Sequence, residues 1–253
     1  MTDYAEILEQ ATEIVERGAR VALSYFRQPL LIECKADHSP VTLADKKTEE
    51  TLRNELIHAF PDHGIVGEEF GEQFPDRKYV WTIDPIDGTR SFIRGIPLFG
   101  TLVSLLEDGE PVVGIAVMPA LDETYIAAKG VGAFSDGIPL QVSNAQSLEG
   151  SFVCCGDSNA FEAAGKRAYQ EDLFRKAQLV RGYSDCFGHT MVLRGAVDAM
   201  VDPVVSIWDI APLVCLVQEA GGCYFGFDGT SSLHNKSFIT CGPDLKQALL
   251  SLG

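Results

Sequence analysis

The chain has 253 residues, 46% of them hydrophobic, and carries a formal net charge of −16 at pH 7. That length and apolar content support one large domain or two joined lobes with a substantial core, while the negative charge argues against nucleic acid and anionic membranes as partners. A phosphate group would have to bind locally, through metal ions or backbone amides.

The N-terminal part of the chain has the pattern of helices. Apolar residues at helical spacing, with glutamates between them, predict a helix over residues 3–26. A second helix is predicted from Leu43 or Ala44 to Ala59, after Pro40 interrupts the preceding stretch. The N-terminus lacks the basic start and apolar core of a signal peptide, and no apolar run reaches the roughly 20 residues of a membrane span. The sequence therefore predicts a soluble, cytoplasmic protein.

Strands dominate the middle of the chain. The "EDGE" stretch, residues 107–110, places Asp-Gly between two apolar runs and predicts a hairpin turn, so this part is expected to be largely antiparallel. The predicted strands are residues 65–66, 80–83, 102–106, 112–117 and 125–128.

Strands and helices alternate in the second half. Strands are predicted at residues 151–155, 178–180, 223–227 and 238–240. Helices are predicted near residues 169–176, over 185–194, and from residue 208 to 220. Gly221-Gly222 ends the last of these helices. This pattern favours alternating layers of helix and sheet in an α/β protein. We expect a single catalytic domain, residues 1–253, with two lobes that meet near residue 145.

The cysteines and most of the histidines offer no metal-site pattern. There are seven cysteines, an odd number, without a CxxC spacing that would indicate zinc or a redox pair. Cys154 and Cys155 fall in a predicted strand, where buried packing is the expected role. Surface positions are predicted for His38, His58, His63 and His234.

Carboxylates at the ends of predicted elements point to a hard metal ion. They are Asp45 at a helix start, Glu68 and Glu69 after a strand, Asp84 and Asp87 after another strand, and Asp209 at the start of the late helix. Converging carboxylates repel one another and lose hydration unless a cation lies between them. Magnesium prefers oxygen ligands, whereas zinc usually takes histidine or cysteine, which these positions lack. Helix capping is the alternative role for Asp45 and Asp209.

Residues 84–89 read "DPIDGT" and combine candidate metal ligands with a candidate phosphate site. Pro85 fixes the backbone, so the carbonyl of Ile86 can turn inward as a neutral ligand. Gly88 and Thr89 follow at the predicted start of a helical turn, where backbone amides favour phosphate oxygens. The combination predicts a phosphate-ester site.

Three stretches carry a resemblance to a known family: "GEE" at 67–69, "WTIDPIDGT" at 81–89 and "IWDIAPLVCLVQEAGG" at 207–222. Together they resemble the signatures of the inositol monophosphatase superfamily, in order and spacing, over nearly the whole chain. The resemblance implies a layered α-β-α-β-α sandwich with a largely antiparallel first sheet. It also implies a magnesium-dependent phosphomonoesterase that forms a homodimer and acts on a small phosphate monoester.

The same resemblance implies a set of metal ligands. Glu68, Asp84 and the Ile86 carbonyl are similar to the ligands of a first Mg²⁺. Asp84, Asp87 and Asp209 are similar to those of a second, with Asp84 between the two ions. Two ions roughly 3.5–4 Å apart lower the pKa of a water and stabilise the attacking and leaving oxygens of a displacement.

Two further roles follow from the resemblance. Asp45 is similar to the acid that supports a third, weaker Mg²⁺. Thr89 matches the residue that orients the attacking water together with Glu68. Direct attack by water then needs no nucleophilic side chain.

Residues 181–202 determine which substrate the resemblance favours. They read "RGYSDCFGHTMVLRGAVDAMVD" and depart from the inositol monophosphatase pattern, with Asp202 where a glutamate is usual. The Arg-Gly-Tyr-x-Asp start is similar to the histidinol-phosphatase branch, which acts in histidine biosynthesis. Arg90-Ser91 and Cys186 depart from that branch. Arg90 is left open between a surface charge and a phosphate contact.

Histidinol phosphate carries an ammonium and an imidazole, so its pocket needs acceptors. Asp185 and Asp202 are candidates for that role, His189 or Tyr183 for the ring contact, and Arg181 for a further pocket contact. Each has an alternative: a turn for Asp202, a helix cap for Asp185, packing for the two rings, and an ion pair, within the chain or across a dimer interface, for Arg181.

The predicted function is Mg²⁺-dependent hydrolysis of L-histidinol phosphate to L-histidinol and phosphate. The first alternative is the same chemistry on inositol 1-phosphate or another small sugar or nucleotide phosphate. A second alternative, of another class, is a non-catalytic metal-binding protein that regulates or interacts through this fold.

Overall fold

The structure, a computed structural model, describes residues 3–35, 39–183 and 185–253. His38, predicted at the surface, lies outside the described residues. The helices are α1 (Tyr4–Tyr25), α2 (Leu43–Ala59), α3 (Thr89–Phe92), α4 (Ser158–Ala163), α5 (Arg167–Lys176), α6 (Asp185–Leu193), α7 (Ile207–Glu219) and α8 (Lys246–Leu250).

The strands form a two-stranded ribbon and two larger sheets. The ribbon pairs β1 (Ile32–Cys34) with β2 (Pro40–Thr42). In spatial order, the eight-stranded sheet contains β10 (Ile138–Pro139), β9 (Gly132–Ser135), β8 (Glu123–Ala128), β7 (Glu110–Met118), β6 (Gly100–Glu107), β5 (Tyr79–Asp87), β3 (Gly64–Gly67) and β4 (Gly71–Gln73). The five-stranded sheet contains β12 (Leu179–Arg181), β11 (Phe152–Cys155), β13 (Ala199–Asp202), β15 (Phe238–Cys241) and β14 (Cys223–Phe225).

Helices α1 and α2 form the first layer and cover one face of the eight-stranded sheet. They bury apolar residues against inward-facing strand residues such as Trp81 and Ile115. The two helices approach closely at Gly18, where an added Cβ would lie 2.4 Å from a methyl carbon of Leu52. The predicted helices over residues 3–26 and 43–59 are therefore confirmed, since α1 and α2 end within a residue of them.

Helices α6 and α7 fill the space between the two sheets. Their apolar side chains pack with Leu102 and Ala116 of the first sheet and with Cys154 and Met200 of the second. Neighbouring strand residues alternate between the two faces of each sheet, so both faces are buried. On the far side of the second sheet, Val153 and other residues pack against α4, α5 and α8.

The result is five layers in the order α-β-α-β-α, as predicted. The eight-stranded sheet is antiparallel except where β3 runs parallel to β5, and the β6–β7 hairpin turns at the predicted Asp-Gly. The second sheet is mixed, with β11 parallel to both of its neighbours. Among the described helices, none is both long enough and apolar enough to cross a membrane.

Two local predictions need correction. Pro40 does not interrupt regular structure but begins β2, which pairs with β1. His63 is half-buried and stacks on Phe60 with 5.2 Å between the ring centroids, so it belongs to an aromatic cluster and not to the open surface. His58 and His234 are exposed, as predicted.

Candidate metal centre and active site

The end of β5 carries Asp84 and Asp87, and an irregularity in the strand brings both to one site. Asp84 pairs with Leu102 and Asp87 with Gly100, so three steps along β5 match two along β6. In a regular strand, residues three apart point to opposite faces. The extra residue is a bulge, which turns the second carboxylate back to the side of the first. The sequence predicted that the strand ends at Ile83, whereas it continues to Asp87.

Asp209 completes a group of three carboxylates. Its ligand oxygen and those of Asp84 and Asp87 lie within 4.8 Å of one another. Asp209 is the third residue of α7, and its other role is to cap that helix, because Oδ2 accepts the Ser206 N–H at 2.7 Å. The apolar run of α7 buries the helix between the sheets and fixes this carboxylate at their edge.

Burial and mutual repulsion perturb the carboxylates of this group. Burial raises the pKa of Asp84 well above its usual value, and the charges of Glu68, Asp87 and Asp209 raise it further. Burial likewise raises the pKa of Asp87, with the charge of Asp185 the next cause. Burial raises the pKa of Asp209 to about 7, against the lowering effect of the hydrogen bond from the Ser206 backbone. Such shifts mark a site that lacks positive charge.

Glu68 lies beside the three aspartates, on the turn between β3 and β4. Its backbone N–H donates to the Ile83 carbonyl at 3.1 Å, which ties the turn to β5. Its carboxylate adds to the raised pKa values of Asp84 and Asp209. The structure therefore brings together the four acidic residues that the sequence proposed as metal ligands.

Lys35 is a functional candidate that the sequence reading missed. Its ammonium donates to Glu68 Oε1 at 2.7 Å and to Glu69 Oε1 at 2.6 Å. Burial lowers the pKa of Lys35, but the two carboxylates outweigh it and raise the pKa above its usual value. Burial raises the pKa of Glu69 to about 7, while Lys35 lowers it. No spacing rule links a lysine to acids more than thirty positions later, so the sequence held no signal for this contact.

A buried ion pair on α2 shapes the turn that carries Glu68. Glu49 is fully buried, and its carboxylate accepts the backbone N–H groups of Glu69 at 2.6 Å and Phe70 at 3.2 Å. Arg53 donates to Glu49 at 2.7 Å and also to the Gly71 carbonyl. Glu49 and Arg53 thus hold residues 69–71, which directly follow Glu68.

Asp45, Thr89 and Ile86 form a second group at the site. Asp45 Oδ2 accepts the N–H and the hydroxyl of Thr42 at 2.8 and 2.7 Å, so it caps α2. Its Oδ1 lies 3.4 Å from the Thr89 hydroxyl, which also lies 3.0 Å from the Ile86 carbonyl. Burial raises the pKa of Asp45, against the hydrogen bonds from Thr42. Gly88 precedes Thr89 with φ of +85°, a conformation that favours glycine.

The predicted pocket residues divide into two sets. Asp185, His189 and Asp202 line one cavity of about 60 Å³ together with Asp87 and Asp209. This wall connects the carboxylate group with the predicted substrate side of the site.

Two of the predicted pocket residues lie elsewhere. Tyr183 is 36% exposed and packs near Phe187, with 5.8 Å between the ring centroids. Arg181 is exposed on β12, and its guanidinium donates to the Val180 carbonyl. Arg90 is exposed on the short helix α3. None of these three lines the cavity described above.

His189 is a buried member of the residues that line this cavity. It is 2% exposed, and its Nδ1 lies 2.8 Å from the Thr240 hydroxyl. Its Nε2 lies 3.4 Å from Asp202 Oδ2 but has no hydrogen bond within residues 3–35, 39–183 and 185–253. A buried ring nitrogen without a partner is costly, and a ligand in the cavity would provide one.

The donor set fits a hard divalent cation. The ligand atoms of Asp84, Asp87 and Asp209 lie within 4.8 Å of one another, and these residues and the neighbouring Glu68 offer only oxygen atoms. Burial raises the pKa of each of the three aspartates. Among the described residues, no histidine or cysteine joins the group that could hold a metal ion. Oxygen-only donors favour magnesium, calcium or manganese over zinc.

Comparison with known proteins identifies the group to which this fold and this acidic centre belong. Residues 3–252 match the sequence profile of the inositol monophosphatase family. The chain belongs to this family. It is 40% identical to a histidinol-phosphatase from Chlorobaculum parvum over 227 residues, which cover 89% of this chain and 88% of the relative. It is 37% identical to a histidinol-phosphatase from Mycobacterium tuberculosis over 227 residues, 88% of this chain and 87% of the relative.

A solved structure of a member of this family has the same fold. The inositol monophosphatase from Zymomonas mobilis superposes with a TM-score of 0.89 at 31% identity, over 99% of this chain and 98% of that one. The inositol monophosphatase fold predicted from the sequence is thus confirmed, and the chain is a phosphatase of this family.

Proposed function

We propose that this family member hydrolyses L-histidinol phosphate to L-histidinol and phosphate in the presence of Mg²⁺. The observation that carries the proposal is the shared cavity. Asp87 and Asp209 of the carboxylate group line it together with Asp185, His189 and Asp202. The similarity to two histidinol-phosphatases supports the same substrate.

The two ends of histidinol phosphate differ in charge, and the two sides of the proposed site would differ as well once cations neutralise the carboxylate group. The phosphate needs cations or backbone N–H groups, whereas the ammonium and imidazole need acceptors. Asp185 and Asp202 supply negative charge, and the buried His189 Nε2, which lies 3.4 Å from Asp202 Oδ2, makes no hydrogen bond to any described residue. Charge-assisted hydrogen bonds of this kind are about twice as strong as neutral ones. Inositol 1-phosphate has no positive charge to place there.

The first task of the chain in this proposal is to hold two metal ions. Glu68, Asp84 and the Ile86 carbonyl would hold one Mg²⁺, and Asp84, Asp87 and Asp209 a second. When bound, the ions would supply Lewis-acid stabilisation of phosphoryl oxygens and a lowered pKa for a bound water.

Further residues around this centre would orient the reactants. Thr89 and Glu68 would direct the water, while Asp45, which accepts from the Thr89 hydroxyl at 3.4 Å, would support a third, weaker ion. The backbone N–H groups of Gly88 and Thr89 would donate hydrogen bonds to phosphate oxygens.

A second candidate is hydrolysis of inositol 1-phosphate or a related sugar or nucleotide phosphate. It is favoured by the likeness to the Zymomonas mobilis inositol monophosphatase, which extends over nearly the whole of both chains. The same metal ligands would serve, and only the wall formed by Asp185, His189 and Asp202 would differ in role. A non-catalytic regulatory role is the third candidate.

The first experiment measures phosphate release by the purified protein with Mg²⁺ and with EDTA. The panel contains histidinol phosphate, inositol 1-phosphate, fructose 1,6-bisphosphate and adenosine 3′,5′-bisphosphate. We expect Mg²⁺-dependent turnover with the highest kcat/KM for histidinol phosphate. A higher kcat/KM for inositol 1-phosphate would refute histidinol phosphate as the preferred substrate, but it would agree with the proposed metal chemistry. The regulatory role would be favoured if no substrate is turned over and the wild-type protein and the Glu68→Gln variant bind the same partners.

Single substitutions test the cavity wall. Asp202→Asn should raise KM for histidinol phosphate roughly 10- to 100-fold, because a charged hydrogen bond is worth about 1.5–3 kcal/mol. Asp136→Asn is the matched control, since Asp136 is exposed and does not line the cavity. An unchanged KM for Asp202→Asn would contradict the proposed substrate pose.

The proposal also includes a homodimer and a cytoplasmic location. The homodimer follows from the resemblance to family members, and the location from the sequence pattern of the N-terminus. Sedimentation equilibrium at several protein concentrations measures the assembly state, and fractionation of the source cells measures the location.

A further inference from the structure

Two cysteines 18 residues apart in sequence contact each other on the face of the second sheet that packs against α4, α5 and α8. Cys223 on β14 and Cys241 on β15 are Cα partners across the antiparallel pair, and their sulfur atoms lie 3.7 Å apart. All seven cysteines lie in the described residues, and among them no other two are in sulfur contact. Nothing in the phosphatase chemistry uses this pair.

We propose that Cys223 and Cys241 form a reversible disulfide when the folded protein meets a peroxide. The backbone geometry suits this bond. Directly paired residues of antiparallel strands have Cα atoms about 4.5 or 5.5 Å apart, and disulfides need about 4.4–6.8 Å. Rotation of the side chains, without movement of either strand, would bring the sulfurs to bonding distance.

Access and charge favour Cys223 as the first thiol to react. It is half-buried and belongs to β14, the edge strand of the sheet, whereas Cys241 is buried. The hydrogen bond between Cys223 and Cys241 lowers the pKa of the Cys223 thiol, and the Lys246 ammonium lowers it further, against the opposing effect of burial. The same hydrogen bond raises the pKa of Cys241. A thiolate at Cys223 is the better nucleophile toward a peroxide.

The reaction balances in two steps. The Cys223 thiolate attacks the O–O bond of hydrogen peroxide and becomes a sulfenic acid, and the displaced hydroxide takes a proton to form water. The Cys241 sulfur then attacks the sulfenic sulfur, and its proton leaves with the hydroxyl as a second water. The two sulfurs together lose two electrons, and the peroxide gains them.

The remaining thiols do not compete for this bond. Cys154 and Cys155 are neighbours in β11, but they belong to the cores on opposite faces of the sheet. Burial raises the pKa of Cys215 to about 12. Cys34 is exposed, so it is the thiol that would react between molecules.

The test uses the full-length protein with Cys34→Ser as the parent, which removes the exposed thiol. The folded, reduced protein is treated with hydrogen peroxide, denatured, alkylated and digested with trypsin. Cleavage after Lys236 and Lys246 isolates Cys241 in the peptide SFITCGPDLK. We expect this peptide joined to the one that contains Cys223, and released from it by dithiothreitol.

A second measurement detects the bond in the folded state. Because the bond would close a loop between residues 18 apart, we expect the Tm of the oxidised protein to rise by roughly 5–10 °C and to fall again with dithiothreitol. Cys223→Ser in the same parent should show neither the cross-linked peptide nor the Tm shift. Alkylated Cys241 in a protein whose Cys223 is oxidised, or alkylation of both thiols after the peroxide treatment, would each overturn the proposal.

Discussion

Replacement of Glu49 by glutamine tests whether the buried ion pair on α2 maintains the turn that carries Glu68. The carboxylate of Glu49 is fully buried and accepts hydrogen bonds from two backbone N–H groups and from Arg53. Glutamine has nearly the same shape, but it has no charge and only one acceptor oxygen. The substitution therefore leaves the buried guanidinium of Arg53 without its counter-ion.

The expected loss follows from those contacts. A hydrogen bond to a charged group is worth about 1.5–3 kcal/mol, and removal of one partner of a buried ion pair costs about 3–5 kcal/mol. Arg53 keeps its bond to the Gly71 carbonyl, so we expect Glu49→Gln to lower the free energy of unfolding by about 3 kcal/mol. The looser turn should also raise the Mg²⁺ concentration needed for half-maximal activity.

Urea unfolding followed by far-UV circular dichroism measures the stability change. Glu50→Gln is a matched control on the same helix, because Glu50 pairs with Lys47 at 2.6 Å in a half-exposed position. Exposed pairs contribute about 0.2–1 kcal/mol. A double-mutant cycle with Arg53→Met should give a coupling of about 2 kcal/mol. If Glu49→Gln destabilises the protein no more than Glu50→Gln does, the ion pair does not hold the turn.

Three further outcomes are expected. Because the pKa of Asp209 is raised to about 7, the folded metal-free protein binds more protons than the unfolded chain, so its free energy of unfolding should fall as the pH rises from about 4 through 7. Mg²⁺ binding at pH 6 should therefore release protons, which calorimetry in buffers of different ionisation enthalpy measures. The absence of proton release would contradict the raised pKa. Lys35→Met should lower the Mg²⁺ concentration for half-maximal activity roughly fivefold, because the Lys35 ammonium competes with Mg²⁺ for the Glu68 carboxylate. A higher Mg²⁺ concentration for half-maximal activity would show instead that Lys35 assists metal binding. Thr240→Val should raise KM several-fold with little change in kcat, because His189 loses its hydrogen bond; steady-state kinetics with wild-type-like circular dichroism would check this, and an unchanged KM would contradict it.

The layers of the fold follow from local patterns in the sequence. The helical spacing of α1 and α2, the Asp-Gly turn between β6 and β7, and the closing glycines after α7 each specify their own element. The sequence did not specify the parallel pairing of β3 with β5. That pairing joins strands that are separated by β4 and a loop, for example Gly64 with Val80, so no turn pattern between adjacent strands predicts it.

The candidate site shows the same division. The acidic residues could be named from the sequence because each lies at an element boundary. Their convergence depends on the bulge in β5, where Asp84 and Asp87 would otherwise face opposite sides. Lys35 and the Glu49–Arg53 pair depend on tertiary contacts alone. Tyr183 and Arg181 belong to the same sequence motif as Asp185, but neither lines the cavity that Asp185 lines.

Helix capping and metal binding were treated as alternatives for Asp45 and Asp209, but the geometry makes them compatible. Each is the third residue of its helix and accepts the N–H of the residue before the helix through Oδ2, from Thr42 and from Ser206. At Asp45 the second oxygen lies 3.4 Å from the Thr89 hydroxyl. A helix N-terminus favours negative charge by about 0.3–1 kcal/mol, which offsets part of the cost of these buried carboxylates. A cap therefore fixes one oxygen of each carboxylate, and at Asp45 it leaves the other turned toward the site.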